Sequence, residues 1–87
     1  MKIKEGFILR KVADVDMVVP IGNNIADFSG VITLNESAAF LWKLLNAEVE
    51  FETLAIALQQ EYEIDMELAV TDVKEFVNLL ARSAILE

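Results

Sequence analysis

The stretch from Gly30 to Asn46, GVITLNESAAFLWKLLN, decides the fold of this chain. A short apolar run that ends at Leu34 is followed by one polar residue, Asn35, and then by an alanine-rich amphipathic segment. Alternation in the apolar run predicts a strand with Ile32 and Leu34 on the same face. The segment after Asn35 repeats its apolar residues at helical spacing, which predicts a helix over residues 36–45. A strand therefore leads directly into a helix, and Asn35 is expected to be the helix N-cap.

The residues before this stretch predict β-structure. Phe7 to Val12 (FILRKV) and Met17 to Ile21 (MVVPI) are apolar and rich in β-branched residues, and the tetrapeptide Ala13–Asp16 between them suits a hairpin turn. Pro20 has no backbone N–H to donate, so it is expected at a strand end or on an edge strand. Ile25 to Leu34 predicts a third strand, which is either interrupted by a bulge or divided into two short strands.

The residues after Asn46 predict two more helices. One spans about Glu52 to Tyr62, and the other runs from Met66 to about Ser83 with Asp65 as its N-cap. The last helix carries a clear apolar stripe of helical period, made of Ala69, Val73, Phe76, Val77 and Leu80. Strands followed by helices indicate an α+β fold.

Length and composition bound what the chain can do. The 87 residues suffice for one core, so we expect a single domain over residues 1–87. The chain contains no Cys and no His, which excludes disulfides, zinc–thiolate sites and Cys- or His-based catalysis. Its first residues lack the apolar core of a signal peptide, and no apolar run is long enough to span a bilayer. We therefore expect a cytoplasmic protein with no membrane partner.

No arrangement of residues predicts catalysis. The acidic residues Glu61, Glu63, Asp65 and Glu67 fall where a loop joins two helices, and we interpret them as solvated surface charge. Asp14 and Asp16 lack the further oxygen ligands of a calcium loop. The serines have no base partner, and three glycines are too few for a phosphate-binding loop. We expect no enzyme activity, no metal and no cofactor.

Charge is distributed unevenly along the chain. Residues 1–46 carry five basic and five acidic side chains, whereas residues 47–87 carry two and ten, so the net charge of −8 belongs to the helical part. Strands followed by three helices are also the order of a winged helix, which makes a DNA-binding regulator an alternative function. An acidic helical half opposes that function, because affinity for DNA depends on Lys and Arg contacts to phosphates. We expect no nucleic-acid partner.

Three motifs in order make the chain resemble the PqqD-like family of RiPP recognition elements. The motifs are LNE followed by AAFLWKLL, then ETLAIALQQEYEID, and finally DVKEFVNLLARSAILE. Glu50 stands where the family often has a threonine cap, and Ala84 replaces the usual glycine before the last apolar pair. The resemblance extends over about residues 6–87, and the matching positions are Leu34, Asn35, Glu36, Ser37, Leu41, Trp42, Leu54, Tyr62, Asp65, Asp72, Val73, Phe76, Leu80, Ile85 and Leu86.

The resemblance implies both a fold and a function. The fold is a three-stranded antiparallel sheet followed by three helices in a winged-helix-like arrangement. The function is to bind the leader segment of a ribosomally synthesised precursor peptide and to present it to a modifying enzyme, often a radical SAM protein. In the family the leader adds as a strand to the third strand and lies against the third helix, a mode in which main-chain bonds give affinity and side-chain pockets give specificity.

Carried over by position, the resemblance implies a set of peptide-binding residues. The strand edge comprises Phe28 and Val31, Ile32, Thr33 and Leu34. The helix wall is the flank of the third helix, about 80–140° from Ala69 by helical spacing, that bears Val70, Lys74, Val77 and Ala81. Lys74 would pair with an acidic leader residue, and Val70 and Val77 are equally well explained as core residues.

A third function also stays open from the sequence. The hydrophobic content of 55% is high for a small domain, which would allow a non-catalytic accessory subunit that forms a homodimer. Strand exchange through the N-terminal hairpin is one route to such a dimer.

Overall fold

The computed structural model describes residues 1–22 and 31–87. In this part of the chain an antiparallel sheet precedes three helices, which confirms the expected α+β fold with three strands and three helices. The elements are β1 (Phe7–Val12), β2 (Val15–Pro20), β3 (Ile32–Leu34), α1 (Glu36–Leu44), α2 (Phe51–Tyr62) and α3 (Met66–Arg82).

The sheet has the order β1–β2–β3, so β3 forms one of its edges. Leu9 pairs with Val18 and Val18 pairs with Ile32, which places these three side chains on the face that packs against the helices. Val18 is fully buried, while Leu9 and Ile32 are half-buried against the core. Pro20 is the last residue of β2, as its missing donor predicts.

The hairpin turn is shorter than the sequence predicts. Val12 pairs directly with Val15, so the turn consists of Ala13 and Asp14 alone, and the expected four-residue turn is wrong. Both turn residues have positive φ, 51° and 66°, as a type I′ turn requires. The backbone twist of this turn matches that of the two strands, which lets β2 begin two residues earlier than expected.

The third strand is described only in its last part. β3 covers Ile32–Leu34, and the question of a bulge or two short strands between Ile25 and Leu34 concerns residues that lie outside the described ranges. Within the described part of the chain, β3 pairs with β2 on one side and with no strand on the other.

Both predicted helix caps are confirmed. Asn35 Oδ1 accepts a hydrogen bond of 2.9 Å from Ala38 N, and Asp65 Oδ1 accepts one of 2.8 Å from Leu68 N. Each cap satisfies one of the free N–H groups of the first helical turn, which stabilises a helix by about 1 kcal/mol. All three helices have bounds within one residue of those expected from the sequence.

The core lies between the inner face of the sheet and the three helices. Its fully buried large side chains come from β2, from every helix and from the segments just after α1 and α3, and they are Trp42, Leu41, Leu45, Leu54, Leu58, Leu80, Ile85, Val18 and Val73. Burial of one such side chain contributes about 1.5–3 kcal/mol. No polar side chain is buried in the described residues, so hydrophobic packing dominates this core.

The segment after α3 packs against the start of the chain. Leu86 forms an antiparallel bridge with Ile3, and Lys4 N donates a 2.7 Å hydrogen bond to Ile85 O. Ile3 N also donates a 3.0 Å bond to Leu45 O at the end of α1. The apolar pair after α3 therefore packs beside the end of the first helix.

Candidate functional site

The edge of β3 that pairs with no strand of residues 1–22 or 31–87, called the free edge below, borders a cavity of about 230 Å³. We call it the edge cavity. Its walls come from β3, the start of α1 and one flank of α3, and the lining residues are Thr33, Leu34, Asn35, Ser37, Ala38, Leu41, Asp72, Glu75, Phe76 and Leu79. The strand edge thus has an adjacent pocket for side chains, which is the arrangement that strand addition requires.

The register of the sheet determines which backbone groups of β3 are free. The two-residue turn makes Val12 and Val15 a hydrogen-bonded pair, and such pairs alternate with non-hydrogen-bonded pairs along the hairpin. Asp16 and Val18 therefore direct their backbone groups towards β3, where they pair with Leu34 and Ile32. The N–H and C=O of Thr33 then point away from β2, towards the free edge.

The α3 wall of the edge cavity is an i, i+3, i+4, i+7 stripe. It consists of Asp72, Glu75, Phe76 and Leu79, which lie on one flank of the buried stripe that includes Val73. The flank expected from the sequence lies on the other side of Val73. Helical periodicity identifies the buried stripe but does not distinguish its two flanks, because the choice depends on how the helix crosses the sheet.

The expected helix-wall residues do not line the edge cavity. Val70 and Val77 are half-buried and pack against the core cluster, and Lys74 is exposed. The edge cavity therefore gives no support to their predicted contact with a bound peptide, which stays a prediction.

The expected strand residues have different positions relative to the edge cavity. Thr33 and Leu34 line it. Ile32 is half-buried on the inner face of the sheet, and Val31 immediately before β3 is 54% exposed. Phe28 lies outside the described residues. As peptide-binding residues, all five stay predictions.

A second cavity of about 340 Å³ lies beyond the Leu34 end of β3. We call it the Tyr62 cavity, and its lining residues are Asn35, Glu36, Ser37, Leu58, Tyr62, Ile64 and Asp72. Asn35, Ser37 and Asp72 line both cavities, so the two meet at the N-terminus of α1. Sequence reasoning missed this cavity, since Tyr62 and Ile64 have the pattern of a helix end and carry no separate signal of a site.

An aromatic contact helps to fix the position of Tyr62 in the wall of the Tyr62 cavity. The rings of Phe40 and Tyr62 lie 5.9 Å apart at an angle of 89°, an edge-to-face contact between α1 and the last residue of α2. Glu63 follows in a left-handed conformation with φ of 51°, which ends α2 and turns the chain so that Ile64 packs against the core.

Acidic side chains line the region where the two cavities meet. Glu36, Asp72 and Glu75 line one cavity or both, and no Lys or Arg does. The ion pairs found among the described residues involve Glu48 and Asp16, so none of these three carboxylates is paired. Burial raises the pKa of the Tyr62 phenol, and the Glu36 and Glu61 carboxylates add smaller upward contributions. Negative charge therefore dominates the junction of the two cavities.

Comparison with known proteins identifies the family. Residues 13–86 match the family model described as Coenzyme PQQ synthesis protein D (PqqD). The chain belongs to the PqqD family. The resemblance inferred from its three motifs is thereby confirmed.

A solved structure has the same fold. TbiB1, determined in complex with the TbiA(beta) leader peptide, superposes with a TM-score of 0.77 at 22% sequence identity. The match covers 100% of this chain and 95% of that one. The search of curated proteins found no match.

Residues 1–22 and 31–87 contain no group of three or more acidic side chains placed to hold a metal ion. The same residues include no helix that is both long and apolar enough to cross a bilayer.

Proposed function

We propose that this protein binds the leader segment of a ribosomally synthesised precursor peptide by strand addition to β3. The observation that carries the proposal is the free edge of β3 beside the edge cavity, in a chain of the PqqD family. TbiB1, which shares the fold, was solved with a leader peptide bound, and this supports the same class of ligand here.

Main-chain hydrogen bonds and the burial of apolar side chains would both contribute to the affinity for the leader. Thr33 offers one free donor and one free acceptor, and a net hydrogen bond contributes only about 0.5–1.5 kcal/mol. Apolar leader side chains would supply most of the affinity by packing on Leu79 and on the accessible edges of Leu34 and Phe76, at about 0.8 kcal/mol per buried methylene.

The proposed binding residues combine sequence and structure. Phe28 and Val31 to Leu34 form the strand part, as the family resemblance implies, and Phe76 and Leu79 are added as the helix wall of the edge cavity. For Val70, Lys74 and Val77 a role in binding rests on the resemblance alone.

The proposal extends to the protein's partners. The domain formed by residues 1–87 would act without catalysis of its own and would present the leader to a modifying enzyme, a radical SAM protein being the class that the family resemblance implies. This would take place in the cytoplasm, where the precursor peptide is synthesised. A homodimer is compatible with this function.

The decisive experiment replaces Thr33 with proline and measures the affinity of a labelled leader peptide encoded next to this gene. Proline removes the β3 donor that faces the free edge, whereas an Ile32→Pro variant would instead break a bond between β2 and β3. Thr33→Pro should weaken binding at least about 10-fold, as expected when a hydrogen bond is lost and an extended partner is displaced.

Lys11→Pro is the matched control. Lys11 faces the opposite edge of the sheet, because it belongs to a non-hydrogen-bonded pair with Asp16. This variant should bind the leader with the affinity of the parent protein. In the parent protein, the amide signals that shift on leader binding should belong mainly to residues 31–35 and α3. Equal binding by both folded variants would place the peptide elsewhere, and no binding by the parent protein to any adjacent leader would refute the proposed function.

A further inference from the structure

The Tyr62 cavity adjoins the proposed peptide site at one defined end. β3 runs from Ile32 to Leu34 and leads into Asn35, which lines both cavities. A peptide strand paired with β3 would therefore reach the Tyr62 cavity when it passes the Leu34 end of that strand. Nothing in strand addition itself uses this second cavity.

The two sides of the Tyr62 cavity differ in chemistry. Leu58, Tyr62 and Ile64 provide an apolar and aromatic side. Glu36 and Asp72 provide an acidic side, and Asp72 lies where this cavity meets the edge cavity. Asp72 is half-buried and makes no ion pair, so a cationic group that reached it would meet a carboxylate partly shielded from water.

We infer that the Tyr62 cavity is a second subsite for the same peptide, and that it selects a segment in which a Lys or Arg accompanies an apolar side chain. The apolar side chain packs on Tyr62 and Ile64, and the cation lies at the acidic side of the cavity, beside Asp72 and Glu36. This inference rests on the proposed function, and it reverses the charge expected from the sequence, where Lys74 would select an acidic leader residue.

Charge complementarity favours this occupant over an acidic or neutral one. Neither cavity has a basic lining residue, and the helical half of the chain is strongly acidic. An acidic peptide would be repelled at the junction, and a neutral peptide would leave the carboxylates without a partner.

The test compares two forms of the leader peptide encoded next to this gene. One has the natural sequence, and in the other every Lys and Arg is replaced by Gln. The Gln form should bind about 3- to 10-fold more weakly, since each partly exposed charge pair contributes up to about 1 kcal/mol. The difference should fall as ionic strength rises from about 0.01 M to about 1 M, because the Debye length shortens from about 30 Å to about 3 Å.

Two double variants locate the effect. Asp72→Asn with Glu36→Gln should remove the preference for the natural leader over its Gln form. Glu52→Gln with Glu67→Gln changes the net charge by the same amount at exposed residues that line neither cavity, and it should keep the preference.

The apolar side of the subsite has its own readout. Ile64→Ala should weaken binding of the natural leader severalfold. In the wild-type protein, binding of the leader should shift the amide signals of residues around 62–64. Amide shifts confined to residues 31–35 and α3 would show that the peptide stops at the edge cavity, which overturns the inference.

The outcomes separate this inference from the proposed function. A leader that binds wild-type protein equally well in both forms, or that contains no basic residue, overturns the inference and leaves strand addition intact. Absence of binding by either form overturns both.

Discussion

At the scale of single residues, the left-handed backbone positions are the most informative. Ala84 has φ of 57° although it is not a glycine, and it makes the turn that returns Ile85 and Leu86 to the start of the chain. The family usually has glycine at this position, and the structure supplies the reason. A left-handed conformation costs a residue with a Cβ about 1–2 kcal/mol.

Ala84→Gly should therefore stabilise the protein. Relief of the left-handed strain outweighs the larger chain entropy of glycine in the unfolded state, which leaves a gain of about 0.5–1 kcal/mol. For a domain of this size, that corresponds to a rise in Tm of about 2–8 °C by calorimetry.

Ala81→Gly provides the matched control, because Ala81 is exposed within α3 and has ordinary helical geometry. It should destabilise by about 0.5–1 kcal/mol. A loss of stability at both positions would show that the conformation of Ala84 carries no strain.

At the scale of secondary-structure elements, the turn between β1 and β2 also places non-glycine residues in the left-handed region. A type I′ turn favours Asn followed by Gly, whereas this chain has Ala13 followed by Asp14. The double substitution Ala13→Asn with Asp14→Gly should raise the free energy of unfolding by about 1 kcal/mol in urea titrations. Ala13→Val should lower it, since a β-branched side chain resists positive φ. An unchanged urea midpoint in both variants would contradict the type I′ assignment.

The elements differ in how far they could be predicted from the sequence, because some depend on neighbouring residues and others on contacts between residues far apart in the chain. The strand–cap–helix unit around Asn35 is local, because the cap, the alternation and the helical stripe all lie within a few residues. Grouping Val15 and Asp16 with Ala13 and Asp14 makes the turn expected from the sequence two residues too long. Val15 is a good strand residue, and its pairing with Val12 settles that it belongs to β2.

At the scale of the whole molecule, the site depends on how distant elements meet. The stripe of α3 that packs in the core could be read from its period, but the flank that faces β3 is set by the crossing of helix and sheet. The Tyr62 cavity arises in the same way, since α1, α2 and α3 each contribute to its lining. Neither feature has a signal confined to one stretch of sequence.

A matched pair of substitutions on α3 tests which flank faces the peptide. Leu79 lines the edge cavity and Val77 lies on the other flank, yet both are half-buried and pack against the same core cluster. Leu79→Ala should weaken leader binding about 5- to 30-fold, as expected for the loss of roughly 1–2 kcal/mol of apolar contact. Val77→Ala should leave the affinity unchanged while it destabilises the fold by a similar amount, and urea unfolding checks that both variants are folded during the titration. Weaker binding by Val77→Ala alone would restore the flank of Val70, Lys74 and Val77 as the peptide wall, and the leader would then be expected to carry an acidic residue opposite Lys74.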